Sequence, residues 1–476
     1  MQSVFTIRNI MKNQEKIQET IKYYQSQFPK WFEKNAHFEK RLIFTKCWET
    51  LKNHIAREFI ILQGLRQVGK TTILQQLIYQ ISAEGLDSKK NIIYLSLDQT
   101  DLIGVSASDF LSFLNENINH DKITYIFLDE IQILKNWDMF LKNVWDSFPN
   151  IKIIASGSSA LEINLKERGS LRFDFVKICP LSFKEYLYFK HKELFANMQK
   201  LPKLGDFFAI SQHELRTIDL NSANLKTIFR KYLFTGSYPG LLFQNISVAE
   251  YQRKIVQNVY QKTKNEIFLY YLNRIDEKKF GVKIKPEHSD RIVQYLITNN
   301  GSETSYRTLA EKITISKDAV YANLQLLTYA SLLNFCKKIK FNGETVLNAS
   351  FKYYLHDHTL YLAMKKIDAF LKLKGSKGFV YENLIFNYLN QSFPYERLGF
   401  IKLKKSEIDF ALFLSDGQKY LFEGKSNNWD AKRVKNNFLL SEAKNFLKIC
   451  ITEDYLGRKN EILYIPIYLF LLLKIV

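Results

Sequence analysis

The chain has 476 residues, 46% hydrophobic and 24% charged, which excludes an extensively disordered or fibrous protein and leaves room for about three domains with sizeable cores. Its formal net charge of +20 calls for an anionic partner, nucleic acid first and an anionic membrane surface second, unless it reflects general richness in lysine. Cys47, Cys179, Cys336 and Cys450 lie far apart in mostly apolar sequence, as reduced core residues do, which argues against a disulfide-built fold.

Residues 1–40 read as a helical extension, with Ile17, Ile21, Tyr24 and Phe28 along one face. Residues 1–30 carry Arg8, Lys12, Glu15, Lys16 and Glu19 and no long apolar core, so no secretory signal is expected and a cytoplasmic location is. The long apolar run from Ile462 to Val476 contains Pro466 and Lys474 and falls about five residues short of a membrane span. It reads as a final strand and short helix, so no membrane partner is expected.

Phe59-Ile60-Ile61-Leu62 reads as a buried strand, and Leu74, Leu77, Ile78 and Ile81 recur at helical spacing downstream. Between them stands Gly64-Leu65-Arg66-Gln67-Val68-Gly69-Lys70-Thr71, the G-x-x-x-x-G-K-[ST] pattern of a phosphate-binding loop. Gly64 and Gly69 are expected to let the backbone turn its N–H groups around an anion, at a helix start whose dipole favours negative charge. Residues Gly64 to Thr71, with Thr72, are therefore the expected ATP-binding set. Lys70 reaches the β- and γ-phosphates and Thr71 ligates Mg²⁺. The competing reading is a structural Gly-rich turn that carries a lysine.

Asn91 to Asp98 forms a further apolar strand, and Ile123 to Leu128 forms another that ends in Asp129-Glu130. Asp129 is expected to hold Mg²⁺ and Glu130 to orient and polarise the attacking water, the step that makes an ATPase of a nucleotide binder. A helix with Trp137, Phe140, Leu141 and Val144 precedes the strand Ile151 to Ala155, which ends in Ser156-Gly157-Ser158-Ser159. Hydroxyls at a strand tip sit where open α/β sheets bind ligands, so Ser156 or Ser158 is a candidate sensor of the γ-phosphate or its attacking water.

From Gly64 to about Tyr186 the chain resembles the AAA-type P-loop ATPase domain of a large bacterial and archaeal family that joins it to a C-terminal domain of unknown function. The likeness rests on the loop, on Leu128-Asp129-Glu130-Ile131-Gln132, on Ser156-Gly157-Ser158-Ser159 and on Pro180-Leu181-Ser182-Phe183-Lys184-Glu185-Tyr186. Tyr232-Leu233-Phe234-Thr235-Gly236-Ser237-Tyr238-Pro239 extends it, and the similarity covers nearly everything after residue 40. The resemblance implies an arginine beside a glycine eight residues before the Pro-Leu-Ser motif. Arg172 holds that spacing to Pro180 but follows Leu171, while Arg168 beside Gly169 competes. Such an arginine would act on the γ-phosphate within the chain or on a neighbouring subunit, which makes a homo-oligomer an expectation.

Residues 187–280 are aromatic-rich and helical, a lid or connector. Residues 281–365 read as a winged helix-turn-helix: a helix from Arg291 to Ile297, a second capped by Ser305, and a third capped by Ser316 that exposes Lys317, Tyr321, Asn323 and Gln325. Lys337, Lys338 and Lys340 would lie on its wing. His356-Asp357-His358 invites a metal reading if it lies on a strand, but it lacks further ligands.

Residues 366–476 carry a separate constellation. Glu407 to Phe413 and Leu421 to Lys425 read as a hairpin joined through Asp416-Gly417-Gln418, which would stand Asp409 beside Glu423 with Lys425 two residues on. This resembles the D…(D/E)-x-K core of restriction-endonuclease-like folds, with Glu382 as the helix glutamate and Asp409 and Glu423 as a second metal site. Lys402, Lys404, Lys405, Lys432, Arg433 and Lys435 would suit a phosphate backbone.

The expected fold is thus α/β: a parallel-sheet AAA-type core at 41–186, then the helical region, the winged helix and a small nuclease-like α/β domain. The expected function is a Mg²⁺-dependent ATPase that acts as a switch on DNA-associated C-terminal domains. An ATP-regulated, metal-dependent DNA endonuclease is one alternative. A regulatory NTPase acting on protein partners alone is the other.

Overall fold

Strand β1 (Phe59–Gln63) is buried along its whole length, as an unbroken apolar run must be when a sheet is covered on both faces. The computed structural model describes residues 2–53, 59–85, 91–119, 121–157, 172–274, 284–299, 301–347, 349–426 and 436–475. Two compact units divide the chain, residues 1–179 and 180–476.

In the first unit β2 (Ile92–Ser96), β3 (Thr124–Asp129), β4 (Ile151–Gly157) and β5 (Phe173–Lys177) join β1 in the order β2-β3-β4-β1-β5. Every pairing is parallel, so helices must cross between strands. The helices of this unit are α1 (Gln2–His37), α2 (Phe44–Lys52), α3 (Lys70–Ala83), α4 (Ala107–Asn117) and α5 (Trp137–Ser147). Ser106 caps α4 by accepting from Asp109 N, and α5 buries Trp137, Phe140, Leu141 and Val144 in the core. Helix α1 packs on this unit through Ile17, Ile21, Tyr24 and Phe28, all 7% exposed or less. Its Gln25 Nε2 donates to Ile92 O at 3.1 Å, covering the edge strand β2. Parallel strands bring their C-terminal ends to one edge, and β4 lies between the strand that leads into the loop and the strand that carries Asp129.

The second unit begins with helices, including Phe183–Lys190, Ala223–Thr235, Val248–Ile255 and Lys262–Arg274, with a π-helical stretch Val256–Gln261 between the last two. Helices Pro286–Thr298, Tyr306–Ile313 and Lys317–Tyr329 follow, the latter two capped by Ser305 and Ser316. Asn323 does not face solvent as expected. It is fully buried, accepting from Ser289 Oγ at 2.8 Å and donating to Ala319 O at 2.7 Å, which ties two helices together.

The remaining strands are β6 (Leu333–Lys338), β7 (Phe351–Leu355), β8 (Arg397–Lys402), β9 (Glu407–Phe413), β10 (Lys419–Gly424), β11 (Leu447–Thr452), β12 (Gly457–Lys459) and β13 (Ile462–Pro466). They form one mixed sheet in the order β12-β13-β11-β10-β9-β8-β6-β7. The antiparallel pair β6–β7 is therefore no free wing: β6 also pairs in parallel with β8. A boundary at 365/366 would cut this sheet, because a parallel partner some sixty positions away leaves no trace in local periodicity. His356-Asp357-His358 is not a strand either. Asp357 caps the helix His358–Met364, so strand alternation does not apply to the triplet. Among the described residues no helix is long and apolar enough to cross a membrane.

Candidate functional site

The loop after β1 needs its two glycines for different reasons. Gly69 has φ +97°, a left-handed conformation at the start of α3. Gly64 does not use such a conformation. A Cβ there would stand 2.1 Å from Ile178 O, so glycine is needed for close backbone packing. Lys70 is 7% exposed, and its Nζ donates to Gly64 O and Leu65 O, both at 3.0 Å. Burial lowers its pKa, with Glu130 and Asp129 opposing that shift and Arg66 adding to it. Among the described residues no carboxylate pairs with this ammonium, and a buried cation held only by carbonyls fits an incoming phosphate.

Asp129 is the meeting point of four elements. Thr71 Oγ1 donates to its Oδ2 at 2.7 Å, Tyr94 OH donates to the same oxygen at 3.0 Å, and Ser156 Oγ donates to Oδ1. A hydroxyl and a carboxylate in contact form a hard-oxygen pair of the kind Mg²⁺ takes. Ser156 also accepts from Glu130 N at 3.3 Å, so this hydroxyl, one of the two candidate γ-phosphate sensors, links the Asp129 carboxylate to the backbone of Glu130. Glu130 itself has φ +56°, an uncommon conformation for a residue with a side chain, and Gln132 Nε2 donates to its Oε2.

A second group lies on the C-terminal sheet. Asp409 on β9 and Glu423 on β10 stand next to the paired residues Phe410 and Phe422. Lys425 Nζ lies 2.7 Å from Glu423 Oε2 and 3.9 Å from Asp409 Oδ2. Gly424 N donates to Asp409 Oδ2 at 2.8 Å and Asn437 Nδ2 to Glu423 Oε1 at 3.1 Å. Burial, reinforced by Asp409 and opposed by Lys425, pushes Glu423 up to about 8. Burial alone would lower Lys425, but Asp409 and Glu423 outweigh it and hold the ammonium above its ordinary value.

Glu382 is engaged differently. Lys352 Nζ bridges Glu382 Oε1 at 3.1 Å and Glu407 Oε1 at 2.8 Å, and Tyr354 OH donates to Glu382 Oε1 at 2.6 Å. Among the described residues no three His, Cys, Asp or Glu side chains form a ready metal cage. Of the basic residues expected here, Lys402 pairs with Glu303 at 2.8 Å, Lys404 and Lys405 are exposed, and Lys432, Arg433 and Lys435 lie outside the described residues.

Residues 56–187 match the family described as "AAA domain". Over this stretch the chain is similar to an AAA domain. Residues 226–371 match a family described only as a domain of unknown function. Over 285 residues the chain is 29% identical to an uncharacterised protein of Methanocaldococcus jannaschii, covering 58% of this chain and 56% of that protein. The chain thus spans little more than half the length of that relative. It is also 26% identical over 413 residues to an uncharacterised protein of Haemophilus influenzae, covering 83% of this chain and 89% of that one. Among solved structures it is similar to AMPPCP-bound DnaA of Aquifex aeolicus (16% identity, TM-score 0.24, 62% of this chain and 90% of that chain). It is also similar to PCH-2 of C. elegans (17% identity, TM-score 0.21, 38% and 46%). TM-scores this low carry no argument.

Arg172 stands apart from the phosphate-binding loop. Arg172 O accepts from Phe59 N at 3.1 Å, at the opposite end of β1 from Gly64 and so roughly 17 Å away along the strand. Its side chain pairs with Asp146 at 3.4 Å and lies 4.9 Å from the Trp145 ring, so the expected role at the γ-phosphate of its own chain is withdrawn. Arg168, Gly169, Ser158 and Ser159 lie outside the described residues.

Several residues escaped the sequence reading. Lys352 was detectable as a lone lysine in the apolar strand Phe351-Lys352-Tyr353-Tyr354-Leu355. Tyr94 had no such signal, since tyrosine is ordinary in a strand. Burial foremost, then Asp129 beside it, raises the Tyr94 pKa, so it stays a neutral donor. Tyr94→Phe removes one hydrogen bond of about 0.5–1.5 kcal/mol from Asp129. Under the reading that Asp129 holds Mg²⁺ for ATP turnover, the Mg²⁺ concentration for half-maximal turnover is expected to rise about 3–10-fold, read by Mg²⁺ titration, and an unchanged midpoint refutes that role for Tyr94.

Proposed function

We propose that the AAA domain binds and hydrolyses ATP with Mg²⁺ and acts as a switch on C-terminal parts of the chain that contact DNA. The observation that carries the reading is the 2.7 Å contact between Thr71 Oγ1 and Asp129 Oδ2, beside a buried lysine that among the described residues is held by two backbone carbonyls. In this reading the backbone amides of residues 64–72 cradle the phosphates and Lys70 contacts the β- and γ-phosphates. Thr71 and Asp129 hold Mg²⁺, which when bound neutralises phosphate charge. Glu130 orients the attacking water and accepts its proton, while Ser156 fixes both acids from the intervening strand.

The contact with DNA is assigned to the three helices from Pro286 to Tyr329 with their β6–β7 hairpin, read as a winged helix, and to the β8–β10 region. Lys317, Lys337, Lys404 and Lys405 are exposed there, whereas Lys338, Lys340 and Lys402 are paired with glutamates. Binding through the exposed set weakens steeply with salt, and salt-insensitive or absent DNA binding favours protein partners instead.

The second reading, a metal-dependent endonuclease licensed by ATP, is favoured by Lys425 standing between Asp409 and Glu423. One experiment separates the two: ATP turnover and plasmid integrity followed together in Mg²⁺, with and without DNA. The switch reading expects turnover that DNA alters and a plasmid left supercoiled. Nicking that is lost in Glu423→Gln replaces it with the nuclease reading, and absence of turnover removes both.

A further inference from the structure

Arg41 precedes α2 in sequence and plays no part in the chemistry described so far, yet it is only 7% exposed. Its Nη1 donates to Val68 O at 2.8 Å and its Nη2 to Cys179 O at 3.0 Å. The first acceptor is in the phosphate-binding loop, and the second is the last residue of the first unit. We infer that Arg41 is a positioning residue that aims the loop for nucleotide and ties its conformation to the last residues of the first unit.

The inference rests on the nucleotide reading and follows from peptide geometry. In a trans peptide the N–H points opposite the C=O, so holding Val68 O toward Arg41 turns the Gly69 N–H to the other face of that peptide. That amide belongs to the expected anion cradle. Gly69, with φ +97°, has backbone freedom to turn otherwise, and a clamp on the preceding carbonyl removes that freedom. Arg41 is itself set against the loop helix, since Gln76 Nε2 on α3 donates to Phe38 O and Glu39 O, each at 3.4 Å.

The end of the first unit meets the loop at two further points. Ile178 N donates to Gln63 O at 2.6 Å, and Ile178 O fills the space a Cβ on Gly64 would need. Both ends of the loop thus bear on Ile178 and Cys179, one directly and one through Arg41. A planar guanidinium spans two carbonyls at once, which a lysine ammonium on a flexible stem does not reproduce.

The test uses the full chain, with mant-ATP as probe and hydrogen exchange of residues 172–179 with and without it. Parent, Arg41→Lys, Arg41→Met and Lys70→Ala are compared, with far-UV circular dichroism and melting without nucleotide as controls for folding. Arg41→Met is expected to bind mant-ATP about 10–100-fold more weakly, as loss of charge-assisted hydrogen bonds implies. Arg41→Lys, which keeps the charge and is the milder replacement, is expected to bind about 3–10-fold more weakly. Mant-ATP is expected to protect residues 172–179 in the parent and not in Arg41→Lys. A merely structural arginine would lower melting but leave that nucleotide-dependent protection in place, and this result overturns the inference. So does parent-like affinity in both Arg41 variants while Lys70→Ala has lost binding. If Lys70→Ala binds as the parent does, the nucleotide reading itself has failed.

Discussion

Glu130→Gln is expected to bind ATP with an affinity within about threefold of the parent and to hydrolyse it 10²–10⁴ times more slowly, roughly the contribution of a positioned general base. The substitution keeps shape and removes charge. Lys70, Thr71 and Asp129 remain in place to hold the triphosphate and its metal, so binding survives while the water loses the group that polarises it. The Ser156 hydroxyl still accepts from the backbone N–H of residue 130, so the left-handed conformation is not disturbed. Single-turnover hydrolysis alongside mant-ATP binding separates the two quantities. Parent-like turnover would move the water-activating role to another residue.

Lys70→Ala is expected to lose both. Removing one preorganised cation or donor from a phosphate or oxyanion site costs on the order of 10²–10³ in rate, and here the same side chain also contributes to binding. Stability without nucleotide should respond differently. The buried ammonium gives up hydration for bonds to two carbonyls, and those opposing terms are each on the order of a few kcal/mol, so they largely cancel. Melting of the apo protein is therefore expected to change little, while the shift that ATP induces disappears. A collapse of apo melting would assign Lys70 a structural role.

Local sequence was enough for the elements formed by short, contiguous stretches. The loop from Gly64 to Thr71, the strand ending in Asp129-Glu130, the tip at Ser156 and the hairpin through Asp416-Gly417-Gln418 follow from turn chemistry and side-chain periodicity, which act over a few residues. The parallel α/β core was legible for the same reason, since fully buried parallel strands read as unbroken apolar runs.

Partnerships across long separations were not legible. That β4 lies between β1 and β3, putting Ser156 against Asp129, is decided by strand order. That Tyr94 and Arg41 brace the site, and that Lys352 holds Glu382 and Glu407, is decided by packing between segments dozens of residues apart. Arg172 had the right spacing and the wrong end of the sheet, and β6 found β8 through backbone groups that carry no side-chain pattern. A sequence by itself sets which groups a segment can offer, because propensity and periodicity are local properties. Only the tertiary structure decides which buried donor finds which acceptor, because that choice belongs to the one packing that satisfies them together.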